Sequence, residues 1–181
     1  MMTKLPENFE LDRYGLHVRL VREEDAEFIV KLRTDEKLAR YLHATDGSVD
    51  KQVEWIKQYK IREAAGEDYY FIYDKDGQTI GVNRIYDIKY DQEQVTAGSW
   101  ICKADGMLSI YTIMILRDII FDLMGAKYDY FDVRKGNKKV QRLHEMCGAN
   151  KVSSDELNYY YCLTKEAYKQ NKEQILKLIK D

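Results

Sequence analysis

A chain of 181 residues with 45% hydrophobic and 33% charged side chains can build one folded core, and it is too apolar for wholesale disorder. Its 29 basic and 31 acidic residues leave a net charge of −2 without a long run of either sign, which argues against a nucleic-acid backbone as the main partner. Cys102, Cys147 and Cys162 are widely spaced and form no C-x-x-C pair, so neither a disulfide framework nor a zinc knuckle is expected, and a reducing cytoplasm is the simplest setting.

Residues 1–15 read as an N-terminal arm carrying the single proline, Pro6, and without the apolar region of a secretory signal. One folded domain is expected over 16–181. Leu16–Val21 predicts a first strand. Arg22–Asp35 follows as a helix, with Ala26, Ile29 and Val30 at helical spacing. Asp50 is placed to cap a second helix over Lys51–Ala65, and Gly66 to end it. The period then falls to two. Tyr69–Tyr73, Thr79–Ile88 and Gln94–Lys103 predict three strands, the first two joined by the turn sequence Asp74–Gly77. Met107–Gly125 predicts a buried helix, because Arg117, Asp118 and Asp122 interrupt an apolar run that would otherwise suit a membrane. Tyr128–Val133 is a strand, Asn137–Cys147 a helix, Ala149–Ser153 and Asn158–Leu163 closing strands, and Lys165–Lys180 an amphipathic helix that packs on the domain or on a second copy in a homodimer. This order predicts a single-domain α/β (α+β) fold: a mixed, mostly antiparallel sheet with helices on both faces.

That order, together with Leu32-Arg33-Thr34-Asp35, Gln52–Tyr59, Asp76–Ile88 and above all Asp132–Gly148, resembles the GNAT N-acetyltransferases, in particular the ribosomal-protein and nucleotide-aminosugar branch. In the last segment Asn137, His144 and Gly148 stand where such sequences commonly have Asn, Tyr and Gly. Asn137 and His144 lie about 10 Å apart along a helix, on nearly one face, so both can touch one extended ligand. The resemblance implies acetyl-CoA as acyl donor, a small primary amine as acceptor, and no metal, membrane or nucleic acid. Thr79–Ile88 is implied to border the acceptor, and the end of the next strand, Trp100, Ile101, Cys102 and Lys103, the thioester.

The family's phosphate loop is shortened here to Lys103–Ser109. The amides of Gly106, Met107, Leu108 and Ser109 are the expected phosphate contacts, with Lys103 or Lys138 adding charge. Asn137 is expected against the pantetheine arm, and also as a helix cap. His144 occupies the seat of the leaving-group acid, where an imidazole that titrates near neutrality can serve. Arg33, Asn83, Arg84, Tyr86 and Ser99 are expected to bind the acceptor, with Trp100 beside them. Glu54, Asp87 or a water chain are the candidate bases. The altered loop and the missing tyrosine leave a non-catalytic binding module of the same fold as the alternative, with protein N-terminal acetylation as a third reading.

Overall fold

The computed structural model describes residues 1–180, with nothing stated of the Lys180 side chain. The expected domain end, Asp181, lies outside the described residues. Eight strands form one sheet in the order β1-β2-β3-β4-β5-β6-β8-β7. They are β1 (Glu10–Arg13), β2 (Leu16–Leu20), β3 (Tyr69–Lys75), β4 (Gln78–Lys89), β5 (Gln94–Cys102), β6 (Tyr128–Arg134), β7 (Asn150–Ser154) and β8 (Asn158–Thr164). Only β5 and β6 are parallel, joined through a helical crossover; every other neighbouring pair is antiparallel. The helices are α1 (Ala26–Thr34), α2 (Val49–Ala65), α3 (Met107–Asp118), α4 (Lys138–Met146) and α5 (Lys165–Lys180). The expected mixed sheet with helices on both faces is what forms.

The sheet separates two cores by simple alternation. Along β3, Tyr69, Phe71 and Tyr73 point to the face covered by α3 and α5, while Tyr70 and Ile72 join Ile29 and Leu32 of α1 and Ile56 and Tyr59 of α2. A strand buried on both faces reads as an unbroken apolar run, which is why Tyr69–Tyr73 lacks a polar alternate.

Two expectations change at the N-terminal half. Residues 10–13 of the expected arm form β1, and Met2 and Phe9 are core residues. The second helix starts earlier than expected: its cap is Ser48, whose Oγ accepts the Lys51 amide at 3.3 Å, and Asp50 lies within the first turn. Gly66, at φ 77°, ends that helix as expected. The hairpin between β3 and β4 turns through Asp76 and Gly77, both at positive φ. After Asp118 the long helix widens into a π-turn over 119–123 and stops at Gly125, φ 77°.

Arg117 and Asp118 are adjacent, buried and directed to different partners. Asp118 accepts bonds from Arg13, Tyr14, Tyr168 and Lys172, which pins β1 and α5 to α3. Arg117 instead reaches Asp129, His144 and Cys147 under the sheet. An ionisable pair inside an apolar helix is tolerated only when each member has such partners.

Candidate active site

The sheet opens between β5 and β6. Their pairing covers only Gln94–Thr96 against Tyr128–Tyr130, and beyond it the strands diverge. Part of the cause lies in β5. Gly98 pairs with Arg84 and Ile101 with Val82, so Ser99 and Trp100 together oppose Asn83. That bulge puts Ser99 at φ 53° and bends the strand away from β6. Gly98 allows the packing that follows: a Cβ there would lie 2.9 Å from the Tyr86 hydroxyl oxygen.

Three cavities meet at this opening. A groove of about 830 Å³ runs along one side, between the N-terminus of α3, the face of α4 and Leu178 and Ile179 of α5. A cavity of about 210 Å³ occupies the opening itself, between Gly98–Trp100 of β5, Phe131 of β6 and His144 of α4. A third, of about 290 Å³, lies on the α1–α2 side, lined by Arg33, Lys51, Trp55, Tyr70, Arg84 and Ser99. Tyr41, Leu42, Trp100, Asn137 and Val140 border both the groove and the opening, while Arg33 and Ser99 border both the opening and the third cavity. The segment between α1 and α2 crosses the mouth, fixed by a bond from the Tyr41 hydroxyl to the Gly136 carbonyl at 3.2 Å.

At the head of the groove, the first backbone bond of α3 is Ile110 N–H to Gly106 C=O at 3.4 Å. The amides of Met107, Leu108 and Ser109 therefore lack intrahelical partners, as at any helix start, and favour an anion. Lys37, Lys139 and Arg142 add positive charge along the groove.

The split between parallel strands thus joins an anion-ready groove on one side to a second cavity on the other. The acetyltransferase (GNAT) domain model matches residues 16–150. The chain belongs to the GNAT acetyltransferase family. It is an acyl-CoA-dependent N-acyltransferase. The chain is 38% identical to FdhC, a nucleotide-linked sugar GNAT, whose ligand-free structure superposes with a TM-score of 0.84 over 95% of this chain and 99% of that one. A putative acetyltransferase from T. thermophilus shares the fold at 12% identity, with a TM-score of 0.77 over 98% of this chain and 100% of that one. So does spermidine N-acetyltransferase from Vibrio cholerae, solved with CoA and spermine: 17% identity, TM-score 0.73, covering 86% of this chain and 99% of that one. Among curated proteins none matches.

Within this GNAT frame the expected residues divide. Trp100, Ile101, Cys102, Gly106, Met107, Ser109 and Asn137 all border the groove. Asn137 also caps α4, its Oδ1 accepting the Val140 amide at 3.4 Å. Lys103 does not border it: its ammonium sits 5.2 Å from the Phe28 ring centre, on the opposite side of the strand. Leu108 turns its side chain towards the core, and its amide, the group expected to serve, stays at the open start of α3. Lys138 leans over Tyr159, whereas Lys139 and Arg142 face the groove, because one helical step rotates a side chain by about 100°. Along α4, Gln141 and His144 are buried, as is Cys147 just beyond its end, while Val140 and Leu143 line the groove.

On the acceptor side Arg33, Tyr86 and Ser99 border the opening. Arg33 donates to Thr45 Oγ1 at 2.6 Å and to the His43 carbonyl at 3.5 Å, with no acidic partner among the described residues. Arg84 is sandwiched between Trp55 and Tyr86 and binds both oxygens of buried Asp68, with Nε–Oδ1 at 2.7 Å. Asn83 touches the opening but is fully buried, accepting from Tyr73 at 2.9 Å and donating to the Thr112 carbonyl at 3.2 Å. Its amide therefore holds β3, β4 and α3 together. Glu54 and Asp87 are exposed and border neither the opening nor the third cavity.

His144 is present in the opening, in a different protonation state from the one expected. Burial, then the Arg117 guanidinium, hold its pKa well below the ordinary imidazole value, so it is neutral at pH 7. Phe131 lies against its ring, with centres 4.4 Å apart. Sequence reasoning missed Arg117, Asp129 and Phe131, as well as the strap residues Tyr41 and Leu42. A lone arginine within an apolar run was the available signal for Arg117; the strap carries no periodicity that would mark it.

Proposed function

We propose that the enzyme transfers an acetyl group from acetyl-CoA to the primary amine of a nucleotide-linked aminosugar. The observation that carries the acceptor class is the charge of the acceptor side. Arg33 and Arg134 line it without an ion-pair partner among the described residues, while Lys51 is paired with Asp46, Arg84 with Asp68, and Asp132 also borders the opening. The two unpaired guanidinium groups suit a diphosphate. The 38% identity to a nucleotide-linked sugar GNAT points the same way.

In this reading the pyrophosphate lies on the amides of Met107–Ser109 with Lys139 and Arg142. The pantetheine arm passes Trp100, Asn137 and Val140, and the thioester rests in the opening beside Gly98–Trp100. Amides freed by the β5 bulge stabilise the carbonyl oxygen as charge develops on it. Arg33, Tyr86 and Ser99 orient the acceptor, and Arg84, locked on Asp68, supplies a fixed cation and an aromatic-flanked wall. The amine loses its proton to a water chain. One catalytic domain does this work, including its first fifteen residues and its terminal helix. Three free thiols suit a cytoplasmic location.

The test is thiol release from acetyl-CoA with purified enzyme. Nucleoside-diphosphate aminosugars should support turnover. The same aminosugars without the nucleotide, spermidine and an N-terminal peptide should give little. Preference for the peptide or the polyamine refutes the acceptor assignment. Failure to bind acetyl-CoA at millimolar concentration favours the binding-module reading.

A further inference from the structure

We propose that Arg117, anchored by Asp129, is a positioning residue that fixes His144 as the Nε2–H tautomer and aims that proton at the thioester sulfur. The inference rests on reading the opening between β5 and β6 as the thioester site. Its geometry stands independently of that reading.

Arg117 Nη2 lies 2.8 Å from His144 Nδ1. A guanidinium has only donors, so Nδ1 must accept, and the proton of the neutral ring resides on Nε2. Nε2 has no hydrogen bond among the described residues, and the ring borders the opening. The arginine itself is held on three sides. Its Nε lies 3.5 Å from Asp129 Oδ2, its Nη1 lies 3.3 Å from Cys147 Sγ, and its guanidinium carbon lies 5.2 Å from the centre of the Phe131 ring. Both Arg117 and Asp129 are almost wholly buried. The groups facing the imidazole are thus Arg117 from α3, Asp129 and Phe131 from β6, and Cys147 from α4. Asp118, next in sequence, faces away towards β1 and α5.

This arrangement changes what His144 does. It is a hydrogen-bond donor to sulfur rather than an imidazolium acid. The amine lone pair forms the C–N bond and the C–S electron pair leaves on sulfur. The proton shed by the acceptor nitrogen ends on the thiol through water, and His144 keeps its own. Burial and the adjacent cation both oppose protonation of the ring, so the donor state persists well below neutral pH.

The chain has three histidines, which makes the ring observable. In the full-length protein with ¹⁵N-labelled histidine, the imidazole signal lost in His144→Phe should show a protonated Nε2 and a bare Nδ1, unchanged from pH 8 to 5. A bare Nε2, or titration near 6.5, overturns the proposal whether or not any acceptor is turned over. In the acyltransfer assay Arg117→Met should lower kcat by about ten-fold to a hundred-fold with the KM for acetyl-CoA nearly constant. Arg117→Gln, which still donates to Nδ1, should recover most of that loss while letting His144 titrate closer to 6.5, so that kcat acquires a new inflection there. Equal losses in the two folded variants, without the inflection, would reduce Arg117 to a structural role.

Discussion

Replacing Asp118 by alanine tests how this domain is fastened. Its carboxylate is fully buried and accepts Arg13 Nη1 at 2.7 Å, the Tyr14 hydroxyl at 3.0 Å, the Tyr168 hydroxyl at 2.8 Å and Lys172 Nζ at 2.7 Å. Burial, followed by the nearby Asp118 charge, holds both phenols protonated well above the ordinary tyrosine range, so both remain donors. Breaking a buried ion pair by removing one partner costs roughly 3–5 kcal/mol. Here Arg13 is 33% exposed and Lys172 20% exposed, so water re-solvates part of what is stranded. Tyr168 also keeps the Met114 carbonyl at 3.1 Å. A loss near the lower end, about 3 kcal/mol, is expected against a total of roughly 5–15 kcal/mol. With a urea m-value of about 1–3 kcal/mol/M, the unfolding midpoint should fall by at least about 1 M. Tyr168→Phe, which removes one donor, should cost less than half as much. Urea melts followed by circular dichroism measure both. An alanine variant within about 0.5 kcal/mol of the parent would refute the view of Asp118 as the clasp between β1, α3 and α5. At temperatures where the variant is folded, its KM for acetyl-CoA should be unchanged, because Asp118 borders none of the three cavities.

Reversing the groove charges with Lys139→Glu or Arg142→Glu should raise the KM for acetyl-CoA about ten-fold, more at low salt, whereas Lys103→Glu and Lys138→Glu should leave it within about two-fold; initial rates at two ionic strengths decide this. Gly81→Ala should lose about 1–3 kcal/mol in thermal unfolding, since its Cβ would meet the Ile101 carbonyl oxygen at 2.7 Å and that backbone cannot rotate aside. Stability against pH carries two opposed slopes. Burial raises the Asp129 pKa to about 6, so its contribution is greatest below pH 4 and is lost as pH rises through 6. The depressed His144 pKa acts the other way, lowering stability as pH falls below 6.5. His144→Phe should therefore unmask the Asp129 slope, stability between pH 4 and 6 changing relative to the parent by about 1.4 kcal/mol per unit; an unaltered pH dependence would show that the two groups do not titrate as described.

Local chemistry made most of the elements legible before any fold was known. Short β-rich runs marked β3 to β6, Gly66 and Gly125 marked helix ends because each sits at positive φ, and Asn137 announced α4 through its cap. Arg117 and Asp118 separated a buried helix from a membrane span, and no described helix is long and apolar enough to cross a membrane. The element order with the Asn137–Gly148 segment was enough to indicate the family. These signals are legible because they act between residues a few positions apart.

The functional surface depends on distances along no single segment. Which lysine faces the groove is decided by one helical step between Lys138 and Lys139, and by the side of β5 on which Lys103 emerges. Asn83 reads as a polar residue at a cleft until α3 and β3 close on both ends of its amide. Residues 1–15 look like a tail until Asp118, more than a hundred positions away, accepts Arg13 and Tyr14. His144 carries the same lesson at the chemistry itself. Its place in the opening follows from its register with Asn137. Its charge state and the nitrogen that bears its proton were set only when packing removed water from the ring and brought Arg117 and Asp129 beneath it.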